Sequence, residues 1–192
     1  MRLEILDRGH RLGTKALLAL IRLVSRQPVV DAVKLAFYRP DFYGGSDLTH
    51  EAMRGPSAWS IGDRELMAAF VSKVNESQFC IAAHSAASGL WWYGDHEKVV
   101  ATLAEVETAP IDEPLRATLR MLGKLTRAHS IDPDEMGAVL AEGVSRQQIE
   151  DALAVCLVFN ITDRLAEAFD FSVASPAAMN AGARHLLKRG YR

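Results

Sequence analysis

Apolar residues recur at intervals of three and four along most of this chain, and this spacing is typical of α-helices. In residues 11–25, for example, Leu12, Ala16, Leu20 and Leu23 fall on or near one helical face. The same pattern predicts further helices at 29–38, 61–74, 78–91, 96–106, 113–129, 145–169 and 176–189, with short helices within 47–54 and 132–141. No alternating run is long enough to indicate a strand. The sequence therefore predicts an all-α bundle of about eight helices.

Several of the predicted helices begin at residues that are typical N-caps. Ser60, followed three residues later by Asp63, resembles a capping box with Asp in place of the usual Glu. Ser77 is the expected N-cap of the next helix, and Cys80 is then its third helical residue. Residues 1–10 show no clear helical pattern, and we expect them to form a loose or strand-like arm.

Composition and charge argue against several classes of function. Apolar residues make up 49% of the 192 residues, which is enough for one domain with a sizeable core. The net charge of −2 and a pI of about 6.3 argue against a nucleic-acid partner. No apolar run reaches the roughly 18 residues of a membrane span, and Arg22 interrupts the one run that resembles a signal sequence. Two cysteines are too few for a disulfide scaffold, so we predict a cytoplasmic protein without a membrane partner.

The candidate chemistry lies in residues 65–84. Cys80 and His84 are four residues apart on one predicted helix, so their side chains should lie one turn apart on the same face. Cys80 falls in the first turn, where the partial positive charge of the helix N-terminus is expected to lower the pKa of a thiol. Glu65 precedes them on the helix before and is placed to orient the imidazole.

The order of Glu65, Ser77, Cys80 and His84 resembles the alkyl hydroperoxidase D (AhpD) and carboxymuconolactone decarboxylase family. The peroxidase branch of that family has a glutamate, then about a dozen residues later Cys-x-x-Cys, with a histidine four residues after the second cysteine. Here Glu65, Cys80 and His84 match the glutamate, the second cysteine and the histidine. The flanking segments MRGPSAWSIGDRELMAAFVSKVN and FNITDRLAEAFDF resemble peroxidase-related members, so the resemblance covers about 30–175.

The resemblance implies a fold, an assembly and an activity. The expected fold is one AhpD-like domain over 1–192, with an N-terminal arm and helix at 1–28 and a core at about 30–175, assembled as a homo-oligomer (dimer, trimer or hexamer). The expected activity is that of a thiol-dependent hydroperoxidase, an antioxidant redox enzyme that uses a small-molecule hydroperoxide and an external thiol reductant. We expect Cys80 to react, with His84 and Glu65 as its proton-transfer partners, and we expect no cofactor and no metal.

One position departs from the family pattern. Ser77 stands where the family has the first, resolving cysteine, and serine cannot form the Cys-x-x-Cys disulfide. Oxidised Cys80 would then be resolved by Cys156, by another subunit or by an external thiol.

Other interpretations stay open at this point. A lyase like the decarboxylase branch would use Glu65 and His84 for proton transfer and would not need the thiol. A non-catalytic, oligomeric family member would keep the residues only as scaffold. Without the family, a cysteine and a histidine on an Ala-rich helix are more often packing residues, and Glu65 and Ser77 are ordinary residues near helix starts. Cys156 lies in the apolar row of its helix and is expected to be an inert core thiol.

Overall fold

The protein is described by a computed structural model that covers residues 4–40, 47–91 and 96–191. These residues form helices and no strand, which confirms the predicted all-α fold. The helices of the described residues are α1 (Ile5–Arg8), α2 (Leu12–Ser25), α3 (Asp31–Tyr38), α4 (Asp47–Arg54), α5 (Ile61–Val74), α6 (Gln78–Trp91), α7 (His96–Ala104), α8 (Glu113–Ala128), α9 (Pro133–Ala141), α10 (Arg146–Ala168) and α11 (Pro176–Arg189).

The described part of the chain thus holds eleven helices, where the apolar pattern predicts about eight with two short additions. The extra element is α1, because the expected loose or strand-like arm at 1–10 is a helical turn over Ile5–Arg8. Leu6 is fully buried there, and one anchoring residue in four gives too little periodicity to be recognised in the sequence. The positions of the two short helices, α4 and α9, are confirmed.

The centre of the molecule is α5, which is buried on nearly every side. The apolar spacing predicts one buried stripe, made of Leu66, Ala69, Phe70 and Val74. The helix also buries residues outside this stripe, including Met67, Val71 and Ser72. It packs against α6, α8 and α10. A helix surrounded by neighbours has little amphipathic pattern, which is why its sequence understates its burial. Glu65 is carried into the interior by this central helix.

The start of α5 and the turn into α6 fix the register of the two helices. Ser60 and Asp63 form the predicted capping box at the start of α5. The helix ends in a Schellman motif, in which the amide of Ser77 donates to the Ser72 carbonyl at 2.9 Å and the amide of Glu76 donates to the Lys73 carbonyl at 3.0 Å. Glu76 takes the left-handed position of this motif with φ of 62°. Because α6 begins immediately afterwards, at Gln78, the two helices pack antiparallel and face each other along most of their length.

The amphipathic helix α2 lies outside the bundle that α5 forms with α6, α8 and α10. None of its residues is buried, and its apolar side chains Leu12, Leu23 and Val24 are 85%, 74% and 76% exposed. No helix in the part of the chain that the structure describes is both long enough and apolar enough to cross a bilayer. The homo-oligomer implied by the resemblance stays a prediction.

Candidate functional site

Glu65 and His84 meet in the interior between α5 and α6. Glu65 is 0% exposed, and its Oε2 lies 2.7 Å from His84 Nδ1. The expected contact between the two side chains is therefore present. An ionised carboxylate only accepts hydrogen bonds, so the contact places a proton on Nδ1 and leaves Nε2 as the ring nitrogen available for proton transfer. The ring of Phe159 packs edge-on against the imidazole, with centroids 4.4 Å apart, and helps to fix its orientation.

Two further residues, which no pattern in the sequence indicates, complete this group. Arg54 Nη2 donates to Glu65 Oε1 at 2.6 Å, and Tyr191 Oη donates to both carboxylate oxygens at 3.0 and 3.2 Å. We call Arg54, Glu65, His84 and Tyr191 the carboxylate cluster. Burial alone would raise the pKa of Glu65, but the contacts with His84 and Arg54 more than offset it and lower that pKa. Burial and the neighbouring carboxylate raise the pKa of Tyr191, so its phenol stays a hydrogen-bond donor.

Arg54 and Tyr191 reach the cluster from distant parts of the chain. Arg54 is the last residue of α4, and it also donates to the Leu186 carbonyl at 3.3 Å. Tyr191 follows α11 and lies beyond the core limit of about 175 that the resemblance implies. Gly190 makes this approach feasible, because its φ is +73° and a Cβ there would lie 2.7 Å from the His50 ring. No spacing in the sequence connects residue 54 or 191 with residue 65, so only the fold identifies them.

Cys80 is the third residue of α6, as the sequence predicts, but its surroundings differ from those expected. The thiol is 1% exposed and belongs to a small apolar cluster with Phe79, Ala166 and Met179. Among the described residues no hydrogen bond joins Cys80 to His84. The thiol and the imidazole are therefore neighbours along the helix without being directly coupled.

The predicted lowering of the Cys80 pKa is wrong. Burial raises the pKa of the thiol well above its ordinary value, and the carboxylate of Asp163 raises it further. Asp163 is itself buried on α10, where Ser72 Oγ donates to it at 2.8 Å and Asn75 Nδ2 donates to it at 2.9 Å. Burial raises the pKa of Asp163 as well. The helix N-terminus is thus outweighed by desolvation and by a negative charge that comes from another helix, which the local sequence does not reveal.

Ser77 occupies the N-cap position of α6, but its hydroxyl caps nothing. Its carbonyl accepts from the Ile81 amide at 2.9 Å, as the backbone of an N-cap residue does. Its Oγ is buried and has no hydrogen-bond partner, so the expected side-chain cap is wrong. The hydroxyl is close enough to Cys80 to oppose the rise in the thiol pKa, although it does not reach hydrogen-bond geometry with the sulfur. We call Ser77, Cys80 and Asp163, with the apolar side chains around them, the thiol pocket.

The second cysteine behaves as a core residue. Cys156 is 2% exposed on α10, lies 3.6 Å from Thr126 Oγ1 and accepts from Asn160 Nδ2 at 3.3 Å. It precedes Asp163 by two helical turns, about 10 Å along the axis. Burial raises the pKa of Cys156, and the Asp163 carboxylate raises it further. No group of three or more potential metal ligands occurs in residues 4–40, 47–91 and 96–191. An open surface cleft at the C-terminal end of α2 is lined by Arg22 and Pro28 among others. It includes no residue of the carboxylate cluster or of the thiol pocket.

Comparison with solved structures identifies the fold. One match is the crystal structure of an uncharacterized peroxidase-related protein from Silicibacter sp. TM1040, with a TM-score of 0.74 and 23% sequence identity over 86% of this chain and 87% of that chain. Another is the alkylhydroperoxidase AhpD core of an uncharacterized peroxidase-related protein from Ralstonia eutropha JMP134, with a TM-score of 0.74 and 17% identity over 91% of this chain and 92% of that chain. No protein-family model matches the chain, and no curated protein does. The chain therefore has the AhpD-like all-α fold that the resemblance at Glu65, Cys80 and His84 implies.

Proposed function

We propose that this protein is a thiol-dependent hydroperoxidase in which Cys80 is the reacting residue. The observation that carries the proposal is the buried Glu65–His84 pair, held at 2.7 Å one helical turn from a buried cysteine. A histidine held by a carboxylate is suited to move protons for a nearby nucleophile. The AhpD-like fold and the peroxidase-related names of its structural neighbours support the same assignment.

The reaction begins when the thiolate of Cys80 attacks one oxygen of the hydroperoxide. The O–O bond breaks, and the leaving alkoxide takes up a proton, so that Cys80–S⁻ + ROOH + H⁺ gives Cys80–SOH + ROH. An external thiol then displaces the hydroxyl as water and forms a mixed disulfide, and a second thiol releases Cys80. The sum is ROOH + 2 R′SH → ROH + R′SSR′ + H₂O, and Ser77 explains why an external thiol is needed.

His84 supplies the proton transfer in this scheme. Its Nδ1 is bonded to Glu65, so Nε2 is the nitrogen that takes the thiol proton through an intervening water and returns it to the alkoxide. Because burial raises the pKa of Cys80, the resting group is the thiol and its ionisation limits the rate near neutral pH. The apolar side chains of Phe79, Phe171 and Met179 near the thiol favour an organic hydroperoxide over hydrogen peroxide.

A second candidate is a lyase that uses Glu65 and His84 for proton transfer. The observation in its favour is that His84 forms hydrogen bonds with Glu65 and Tyr191. Among the described residues it forms none with Cys80. The carboxylate cluster is thus complete without the sulfur. This function would survive the loss of the thiol, which separates it from the first candidate.

The test compares wild type, Cys80→Ala and Cys156→Ala with cumene hydroperoxide and a dithiol reductant. Cys156 is the matched control, because it is also a buried thiol of a helix but lies outside the thiol pocket. We expect peroxide-dependent labelling of Cys80 by a sulfenic-acid trap, found by peptide mass spectrometry, and turnover that Cys80→Ala abolishes and Cys156→Ala retains. A wild-type protein that takes no label at Cys80 and consumes no hydroperoxide with any thiol donor would rule the proposal out.

A further inference from the structure

The hydroxyl of Ser77 is a polar group without a function in the resting structure. Ser77 is 0% exposed, and its Oγ has no hydrogen-bond partner. The backbone of the same residue is satisfied, since its amide donates to the Ser72 carbonyl and its carbonyl accepts from Ile81. A buried hydroxyl without a partner is costly, and most native structures avoid it. Its presence here indicates a partner that the resting state lacks.

The surroundings indicate where that partner would bind. Ser77 and Cys80 are three residues apart at the start of α6, and the hydroxyl is near enough to the sulfur to favour its ionised form. Asp163 also lies beside the thiol, and its carboxylate already accepts hydrogen bonds from Ser72 and Asn75. An ionised carboxylate accepts and does not donate. In the thiol pocket, Ser77 is thus the side chain that can donate a hydrogen bond to an atom attached to the sulfur.

On the basis of the function proposed above, we propose that Ser77 Oγ binds the oxygen atom that oxidation adds to Cys80. A sulfenic acid, Cys80–S–O–H, has one proton to donate and lone pairs that accept. Its O–H donates to the Asp163 carboxylate while its oxygen accepts from the Ser77 hydroxyl, so both neighbours are satisfied. No bond to carbon or sulfur is made or broken in this step beyond those of the peroxide reaction.

This role explains why a serine at the position of the resolving cysteine would be useful to the protein. A thiol there would displace the hydroxyl of the sulfenic acid, release water and form a disulfide. The serine hydroxyl cannot do so, and it instead holds the oxygen in place until an external thiol arrives. Ser77 therefore prolongs the lifetime of the sulfenic acid and protects it from further oxidation to the sulfinic acid.

The experiment measures how long the sulfenic acid survives in Ser77→Ala and in Ser85→Ala. Ser85 is the matched control, because its Oγ is another buried, unpartnered hydroxyl on α6. Ser85 belongs neither to the carboxylate cluster nor to the thiol pocket. Each protein is treated with a stoichiometric amount of cumene hydroperoxide, and Cys80 is trapped with dimedone at increasing times. We expect Ser77→Ala to shorten the lifetime of the sulfenic acid about tenfold and to raise the sulfinic-acid fraction, as the loss of one hydrogen bond to a reactive group implies. Ser85→Ala should match wild type.

Three readouts make the outcome unambiguous. Thermal unfolding of Ser77→Ala should match wild type, because the hydroxyl caps no helix in the resting state. In Ser77→Cys the dimedone adduct should be replaced by an intramolecular disulfide. Equal lifetimes in Ser77→Ala and wild type, with Cys80 labelled in both, would overturn this inference and leave the proposed function intact, whereas no labelling in wild type would overturn the proposed function itself.

Discussion

The carboxylate cluster and the thiol pocket lie one helical turn apart on α6, yet they are built in opposite ways. In the carboxylate cluster Glu65 accepts hydrogen bonds from three side chains, and its pKa is lowered. In the thiol pocket Cys80 is surrounded mainly by apolar side chains, one hydroxyl is unpaired, and the thiol pKa is raised. The Glu65 carboxylate is thus fixed and ionised at rest, while the Cys80 thiol is kept protonated.

The difference between the two regions predicts which of them determines the reactivity of Cys80 and which determines the stability of the fold. Preorganised hydrogen bonds around Glu65 need no rearrangement, so in the proposed reaction we expect the ionisation of Cys80 to be the slow step. Asp163 connects the two regions, because it raises the pKa of Cys80 on one side and interacts electrostatically with His84 on the other. Changes in the carboxylate cluster should therefore lower stability as well as proton transfer, whereas changes in the thiol pocket should act mainly on reactivity.

The largest expected effect is the loss of stability in Glu65→Ala. The substitution leaves Arg54 and His84 buried without their anion, and breaking a buried ion pair in this way costs about 3–5 kcal/mol. Urea unfolding followed by circular dichroism measures the change. The control is Glu113→Ala, which removes an exposed carboxylate that also pairs with arginines and should leave the midpoint within error. Equal effects of the two substitutions would show that the carboxylate cluster is not a stabilising element.

The second prediction concerns the pH dependence of Cys80 alkylation in a Cys156→Ala background. Since burial and Asp163 raise the thiol pKa, the thiolate fraction should grow tenfold per pH unit and continue past pH 8.5, where an ordinary thiol levels off. The rate with iodoacetamide, measured by mass spectrometry, should therefore rise about a hundredfold between pH 7.5 and 9.5. A plateau reached by pH 8 would mean that the thiol is already ionised, and the contrast between the two regions would then disappear.

These same residues show which features of the fold and of the site can be predicted from the sequence. The helix positions, the Ser60 cap and the contact between Glu65 and His84 follow from local spacing, because they depend on residues close together in the chain or on the packing of consecutive helices. The raised pKa of Cys80 does not, since it depends on Asp163, which is 83 residues away in the sequence numbering. Arg54 and Tyr191 are missed for the same reason, because tertiary packing alone places them around Glu65.

A smaller effect is expected from Asp163→Asn, which removes the negative charge beside Cys80 and keeps the shape of the side chain. The thiol pKa should fall, and alkylation at pH 7 should accelerate about tenfold, although the thiol remains buried. Glu167→Gln is the matched comparison, because Glu167 lies one turn further along α10, is exposed and raises the Cys80 pKa less than Asp163 does, so its substitution should accelerate alkylation less. Slower alkylation in Asp163→Asn would instead identify Asp163 as the base that accepts the thiol proton.

The smallest effect is expected from Tyr191→Phe, which deletes a single hydroxyl from the carboxylate cluster. Glu65 keeps its bonds to Arg54 and His84, so the loss in stability at pH 7 should be about 1 kcal/mol. The pKa of Glu65 is lowered in the folded state, so its contribution is present above the pKa of the unfolded chain and is lost as the pH falls through the folded-state value. Losing a donor makes this lowering smaller, so wild type and Tyr191→Phe should differ most near neutral pH and converge in acid. Urea unfolding at pH 7, 5 and 4 measures this convergence. A difference that stays constant across the series would mean that Tyr191 acts through packing against Arg54, whose Cζ lies 5.0 Å from the ring centroid, rather than through its hydrogen bonds to Glu65.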